Sequence, residues 1–101
     1  MKVFIYATEG LYQGLHGIEA FEVTEVGNLK EAECYAEEMA QNLIDDYGLE
    51  EEYEEFEPEF NYSIYAIADE YLGVSTADLN DIAGREGHED FIRDYCGEEL
   101  A

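Results

Sequence analysis

The stretch Asn28–Gly48, NLKEAECYAEEMAQNLIDDYG, decides the fold, because it is the clearest periodic element in the chain. At about 100° per residue, Leu29, Ala32, Ala36, Met39, Ala40, Leu43 and Tyr47 share one face, with Tyr35 and Ile44 on its flanks, so the stretch is predicted to be an amphipathic helix. Asn28 followed by Glu31 three residues later resembles an N-terminal capping pair, and Gly48 supplies the stop. The opposite face carries Glu31, Glu33, Glu37, Glu38, Gln41 and Asp45, with Cys34 exposed among them. An ordinary solvated helix would intersperse Lys or Arg at four-residue spacing, which stabilises by roughly 0.2 to 0.5 kcal/mol per pair; after Lys30 this one has none.

On the N-terminal side, KVFIYAT (residues 2–8) is rich in Val, Phe, Ile and Tyr, which suits a strand buried on at least one face. The glycine-punctuated GLYQGLHG (10–17) reads as a loop. A second strand follows in IEAFEVTEV, antiparallel to the first, with Phe21 and Val23 on one side and Glu22 and Thr24 on the other. On the C-terminal side, Pro58 makes LEEEYEEFEPEF (49–60) a loop or extended arm, and FNYSIYAIA (60–68) reads as a third strand. Two short helices close the chain. The first starts with Ser75 and Asp78 as a capping box and Val74 packing toward Leu79, and stops near Gly84. The second runs from about His88 to Cys96 and buries Phe91, Ile92 and Tyr95. The order β-β-α-β-α-α predicts an α+β domain, a small antiparallel sheet of about three strands covered by one long amphipathic helix and two short C-terminal helices. A chain of 101 residues is one domain, 1–101, since two cores would each be too small.

Composition narrows function. With 47% apolar and 14% aromatic residues the chain can bury a core, unlike a disordered segment. Its charge is extreme: 27 acidic residues against Lys2, Lys30, Arg85 and Arg93 give a formal net charge of -23. Direct binding to nucleic acid or an anionic membrane needs a positive footprint and is excluded. No stretch approaches the roughly 20 apolar residues of a membrane span. The opening MKVFIYATEG lacks a long apolar core and a small-residue cleavage site, so a cytoplasmic location is expected, that of the host cell if a phage encodes the chain. Cys34 and Cys96, far apart and without metal-type spacing, fit thiols in a reducing compartment.

From Glu31 to Asp81 there are 17 acidic residues, and nine of the fifteen residues from Asp45 to Glu59 are acidic. High charge aids solubility, but solubility requires far less than this. Glu33 and Glu37 repel at four-residue spacing, and Asp45 and Asp46 stand at a helix C-terminus, where the macrodipole disfavours anions by roughly 0.3 to 1 kcal/mol each. Charge arranged against local stability is expected to serve a cationic partner. A nucleic-acid-binding groove has that character. A helix rises about 1.5 Å per residue, which puts Glu33, Glu37 and Asp45 about 6 to 12 Å apart along one side, while duplex DNA offers a charge per roughly 1.7 Å of axis. The expected partner-binding residues are Glu33, Glu37, Glu38, Asp45, Asp46, Glu50, Glu51, Glu52, Tyr53, Glu54, Glu55, Phe56, Glu57 and Glu59. Tyr53 and Phe56 would add apolar contacts between the charges.

About a hundred residues, very low pI, no enzyme-like motif and a tyrosine-rich acidic surface together resemble the small DNA-mimic inhibitors that phages and mobile elements direct at restriction enzymes and CRISPR nucleases. More locally, VFIYATEGLYQGLHGIEAF (3–21) followed by a helix, and YAIADEYLGVSTADLNDIA (65–83), are similar to a module of the ArdA antirestriction family over about half of the chain. That family's fold is an elongated array of small α+β domains studded with carboxylates that mimics bent DNA, and this chain is too short for the full array. The resemblance implies blocking of a nuclease's DNA-binding site, with the carboxylates above as contacts. A homodimer assembling a longer mimic is compatible with the sequence.

Other classes fit less well. DLNDIAGREGHE (78–89) matches the first, third and twelfth positions of an EF-hand loop through Asp78, Asn80 and Glu89, but Ile82 and Ala83 occupy the fifth and sixth, where a ligand and Gly are needed. His16 and His88 lack a partner at ligand spacing. Ser63 and Ser75 sit in structural roles, and no carboxylate has the apolar contrast of a general acid. The sequence therefore predicts no enzyme, no cofactor and no metal. A halophilic surface would spread its charge rather than concentrate it in the middle third. EEEYEEFEPE also resembles acidic tyrosine segments that bind exosites of secreted proteins, against which the missing signal sequence argues. The remaining alternative is an acidic adaptor that binds a basic partner without mimicry, and competition by nucleic acid separates it from the inhibitor.

Overall fold

The computed structural model describes residues 1–9, 19–47 and 60–101. The predicted loop Gly10–Gly17, the stop at Gly48 and the acidic arm with Pro58 lie outside them.

The elements are β1 (Lys2–Glu9), β2 (Glu19–Glu25), α1 (Leu29–Tyr47), β3 (Phe60–Ile67), a short 3-10 turn (Asp69–Tyr71), α2 (Thr76–Glu86), α3 (His88–Tyr95) and β4 (Cys96–Glu99). The strands form one antiparallel sheet in the order β2-β1-β3-β4. The α+β class and the order β-β-α-β-α-α are as expected, with four strands where three were expected. The added strand, CGEE, carries no β-forming residue type at three of its four positions; pairing with β3, Ile67 opposite Cys96 and Tyr65 opposite Glu99, makes it a strand.

Helices cover both faces of the sheet. Successive side chains of β1 point to opposite sides. Val3 and Ile5 go to one core with Ile64, Ala32 and Ala36, and Ala7 continues it with Ala40 and Leu43. Phe4 goes to the other core, with Val23, Ile67, Leu79, Ala83 and Phe91. Burial on both faces is why the N-terminal run alternates so poorly. On β2, Glu22 and Thr24 lie on the side away from Phe21 and Val23, as expected, and that is the α1 side, opposite Ile5 and Val3.

Helix α1 opens as the sequence predicts. Asn28 Oδ1 accepts from the Glu31 N–H at 2.9 Å, and Glu31 Oε2 accepts from the Gly27 N–H at 2.6 Å, so the return bond reaches one residue beyond the cap. Its buried stripe is Ala32, Ala36, Ala40 and Leu43. Leu29, expected on that stripe, is exposed, since it belongs to the first turn before the helix meets the sheet.

The second core is closed by α2 and α3. Ser75 Oγ accepts from the Asp78 N–H at 3.1 Å, as expected, while α2 runs through Gly84 to Glu86. Gly87 ends it instead, with φ of 89°, a conformation that glycine adopts freely. Helix α3 buries Phe91 fully and Ile92 and Tyr95 in part. Cys96 does not end its stripe but opens β4. Lys2 Nζ joins the open end of the sheet to the turn before α2 by donating to the carbonyls of Leu72 at 2.9 Å and Val74 at 2.5 Å.

Candidate functional site

The outer side of α1 is held at a fixed height by its alanine seam. Ala32, Ala36 and Ala40 are at most 1% exposed and seat the helix close over β1 and β3. Leu43 continues the seam into the core, and Glu31, Glu33, Cys34, Tyr35, Glu37, Glu38 and Gln41 stand on the flanks or the top.

The carboxylates divide between two flanks. Setting Ala36 as the direction of the sheet and advancing about 100° per residue, Glu33 and Glu37 fall at about 60° and 100°, and Glu38 and Glu31 at about 200° and 220°. Lys30, Gln41 and Cys34 occupy the crest between them, at about 120° to 160° on the same scale. Among the described side chains, the expected single acidic row is thus two short rows on either side of a crest without carboxylates.

Each flank holds a half-buried tyrosine. Tyr62, on β3, has its hydroxyl pKa raised by burial and by the nearby charges of Glu33 and Glu37. Tyr35, on α1, donates a hydrogen bond to Glu22 of β2, and that bond, then burial, then the charges of Glu22 and Glu38 push its pKa up to about 12. Asn28, Lys30, Glu31, Cys34, Tyr35 and Glu38 line an open depression of about 340 Å³ on this flank.

Lys30 is the one cation on α1 and stands on the crest beside both flanks, while the other basic residues do little to neutralise them. Arg93 pairs with Asp90 at 3.2 Å and with Asp94 at 3.0 Å, both on α3, and holds the Asp94 carboxyl below its ordinary range. Arg85 Nε donates to the Asp81 carbonyl at 3.4 Å. Lys2 is engaged by backbone carbonyls. His88 Nδ1 stands 3.6 Å from Glu19 Oε2, and the imidazole stacks on Tyr6 with ring centroids 4.2 Å apart.

Of the expected contact residues, Glu33, Glu37 and Glu38 are brought together on α1, Glu37 and Glu38 exposed and Glu33 half-buried. Asp45 and Asp46 lie within α1, and their side chains fall outside those described. Glu50, Glu51, Glu52, Tyr53, Glu54, Glu55, Phe56, Glu57 and Glu59 lie outside the described residues. Sequence reasoning missed Glu22, Tyr35 and Tyr62 as members of the surface. The signal available was the uninterrupted apolar run of β1, which requires cover on both faces and so places α1 beside Glu22.

Among the described residues no three His, Cys, Asp or Glu side chains converge on a point that would hold a metal, and none of the described helices is long and apolar enough to cross a membrane. The flanks can hold cationic groups by charge and by hydrogen bonds to carboxylate oxygens. Compared with models of protein families, with curated proteins and with solved structures, the chain finds no match in any of the three.

Proposed function

We propose that the chain is an acidic inhibitor that occupies the nucleic-acid-binding surface of a basic protein, a nuclease of a bacterial defence system being the partner whose groove has the required chemistry. The observation that carries this reading is the presentation on α1, seated on its buried alanines, of carboxylates that far outnumber the helix's single cation, Lys30. From Glu31 to Asp46 the helix bears six carboxylates. Counted over both flanks they span a rise of about 22 Å, or about one per 4 Å, while Glu33 and Glu37 on one flank stand about 6 Å apart, against roughly 3.4 Å per charge of a single DNA strand. A groove lined with Lys and Arg would meet α1 much as it meets a phosphate backbone, exchanging its counterions for fixed anions.

The test is recovery of a basic protein from a bacterial lysate on the immobilised chain, washed at rising salt, followed by competition with duplex DNA and with structured RNA. Release of the partner by nucleic acid at equal ionic strength supports the reading. A partner that stays bound when its own nucleic acid is added in excess makes the chain an acidic adaptor instead.

A further inference from the structure

The outer edge of β2 is a template for another strand. Met1 and Val26 exchange both backbone hydrogen bonds, Val26 N to Met1 O at 2.8 Å and Met1 N to Val26 O at 2.7 Å, in register with the β1–β2 ladder. In an antiparallel ladder such pairs alternate with pairs that exchange none. Ala20, Glu22 and Thr24 therefore bond to β1, and Glu19, Phe21, Val23 and Glu25 turn their N–H and C=O groups away from the sheet. The pairing runs without a bulge from Glu19 to Glu25. A regular edge of this length ordinarily invites strand addition, and proteins guard against it.

At the centre of the edge stands one side chain from α2. Asn80 Oδ1 accepts from the Val23 N–H at 2.7 Å, and Asn80 Nδ2 donates to the Val23 carbonyl at 3.0 Å. A carboxamide offers the same donor and acceptor as a peptide unit, so Asn80 takes the place that an incoming strand's backbone would take. The edge is guarded a second time by charge, since any other copy brings the same Glu19, Glu22 and Glu25. That repulsion is screened by salt, with a Debye length of about 8 Å at 0.15 M and about 3 Å at 1 M. The Asn80 contact does not depend on salt in this way.

We infer that Asn80 is an edge guard: by occupying both backbone groups of Val23 it keeps β2 from pairing with a second copy of the chain, and it remains in force where salt has screened the edge glutamates. Assembly of copies through β2 is closed by this residue.

The experiment compares the native chain with Asn80→Ala and with Asn80→Gln, whose extra methylene moves the carboxamide off Val23 while preserving polarity and helix propensity. Mass is followed by sedimentation at low salt and at 1 M sodium chloride over rising protein concentration, and backbone amide exchange is read at Phe21, Val23 and Glu25. The native chain stays monomeric at both salts. Whichever variants fold double their mass at high salt, and the Phe21 and Glu25 amides, fast to exchange in the native chain, become protected. A folded variant that stays monomeric at 1 M salt, a native chain that already dimerises through β2, or a variant dimer in which these amides still exchange fast overturns the inference.

Discussion

The Tyr6 hydroxyl donates a 2.7 Å hydrogen bond to Glu19 Oε2, and on the other face of the sheet the Tyr35 hydroxyl donates to Glu22, so two glutamates of edge strand β2 are each held by a tyrosine. Neither bond survives ionisation of its phenol. Burial and the Glu19 bond push Tyr6 up to about 12, and the Glu22 bond and burial push Tyr35 up to about 12, from an ordinary value of 10.0. Both folded-state values are raised above those of the unfolded chain. Their contribution to stability is therefore fully present below pH about 10 and is lost as pH rises toward about 12.

Alkaline unfolding should accordingly begin above pH 10, with the phenolate absorbance of Tyr6 and Tyr35 appearing late and together with loss of helix signal. Tyr35→Phe should remove one late-titrating phenol. An unchanged titration in that variant would show that another tyrosine titrates there.

The two thiols should differ in reactivity. Cys34 is exposed on the crest of α1, whereas Cys96 is half-buried at the start of β4 and burial pushes its thiol up to about 12. The thiolate is the reactive form, so a thiol reagent at neutral pH should modify Cys34 rapidly and Cys96 slowly, with equal rates in denaturant. Equal fast labelling of the native chain would mean that β4 opens readily.

Ionic strength should raise the melting temperature. The net charge is -23, and the described ion pairs of Arg and His engage only Asp90, Asp94 and Glu19. Most of the repulsion is left to the solvent, and the Debye length falls from roughly 30 Å at 0.01 M to about 8 Å at 0.15 M salt. A flat melting temperature across that range would show that the charges lie too far apart to repel.

The seam beneath α1 should resist enlargement. Ala36 is fully buried in the cluster formed with Val3, Ile5, Ala32 and Ile64. Ala36→Leu should cost about 1 to 3 kcal/mol, as overpacking of a well-filled core does, measured by denaturant unfolding. A neutral result would reveal slack between helix and sheet.

The same seam marks what was legible in the sequence. The period of Ala32, Ala36, Ala40 and Leu43 gives the buried stripe of α1 directly, and the Asn28 and Ser75 caps place two helix starts, because these signals are local. Strand β4 has no local signal: Cys96 and Glu99 pair, across a register shift, only because β3 offers an edge there. Gly84 reads as a stop, yet the chain remains helical through it, and the true stop is Gly87, whose φ depends on the turn into α3. The split of the acidic surface into two flanks follows from the same period, but the neighbours of those flanks escaped the sequence, since only the fold brings Tyr62 of β3 and Glu22 of β2 to α1.

Charge reversal tests the proposed surface most directly, and the choice of residues follows from the structure. Glu31 is unsuitable because its carboxylate accepts the Gly27 N–H, and Glu22 because it holds Tyr35. Glu33→Lys with Glu37→Lys alters one flank of α1, Glu38→Lys the other, and Glu51, Glu52, Glu54 and Glu55 to Lys alters the acidic arm. An ion contact at 4 Å gives about 1 kcal/mol even at the dielectric of water, and reversal turns it into a repulsion of the same size. Each reversed contact should therefore lose about 2 kcal/mol, and the pair on one flank about 4 kcal/mol, or nearly a thousandfold in affinity for the captured partner. The salt dependence of binding should also become shallower, because fewer of the partner's cations are engaged. Melting curves should stay close to those of the native chain, since Glu37 and Glu38 are exposed and Glu33 lies on the rim of the core. If all three sets leave affinity and salt dependence unchanged in folded protein, the acidic surface is not the contact; if only the arm set acts, α1 is a scaffold for the arm rather than the mimic itself.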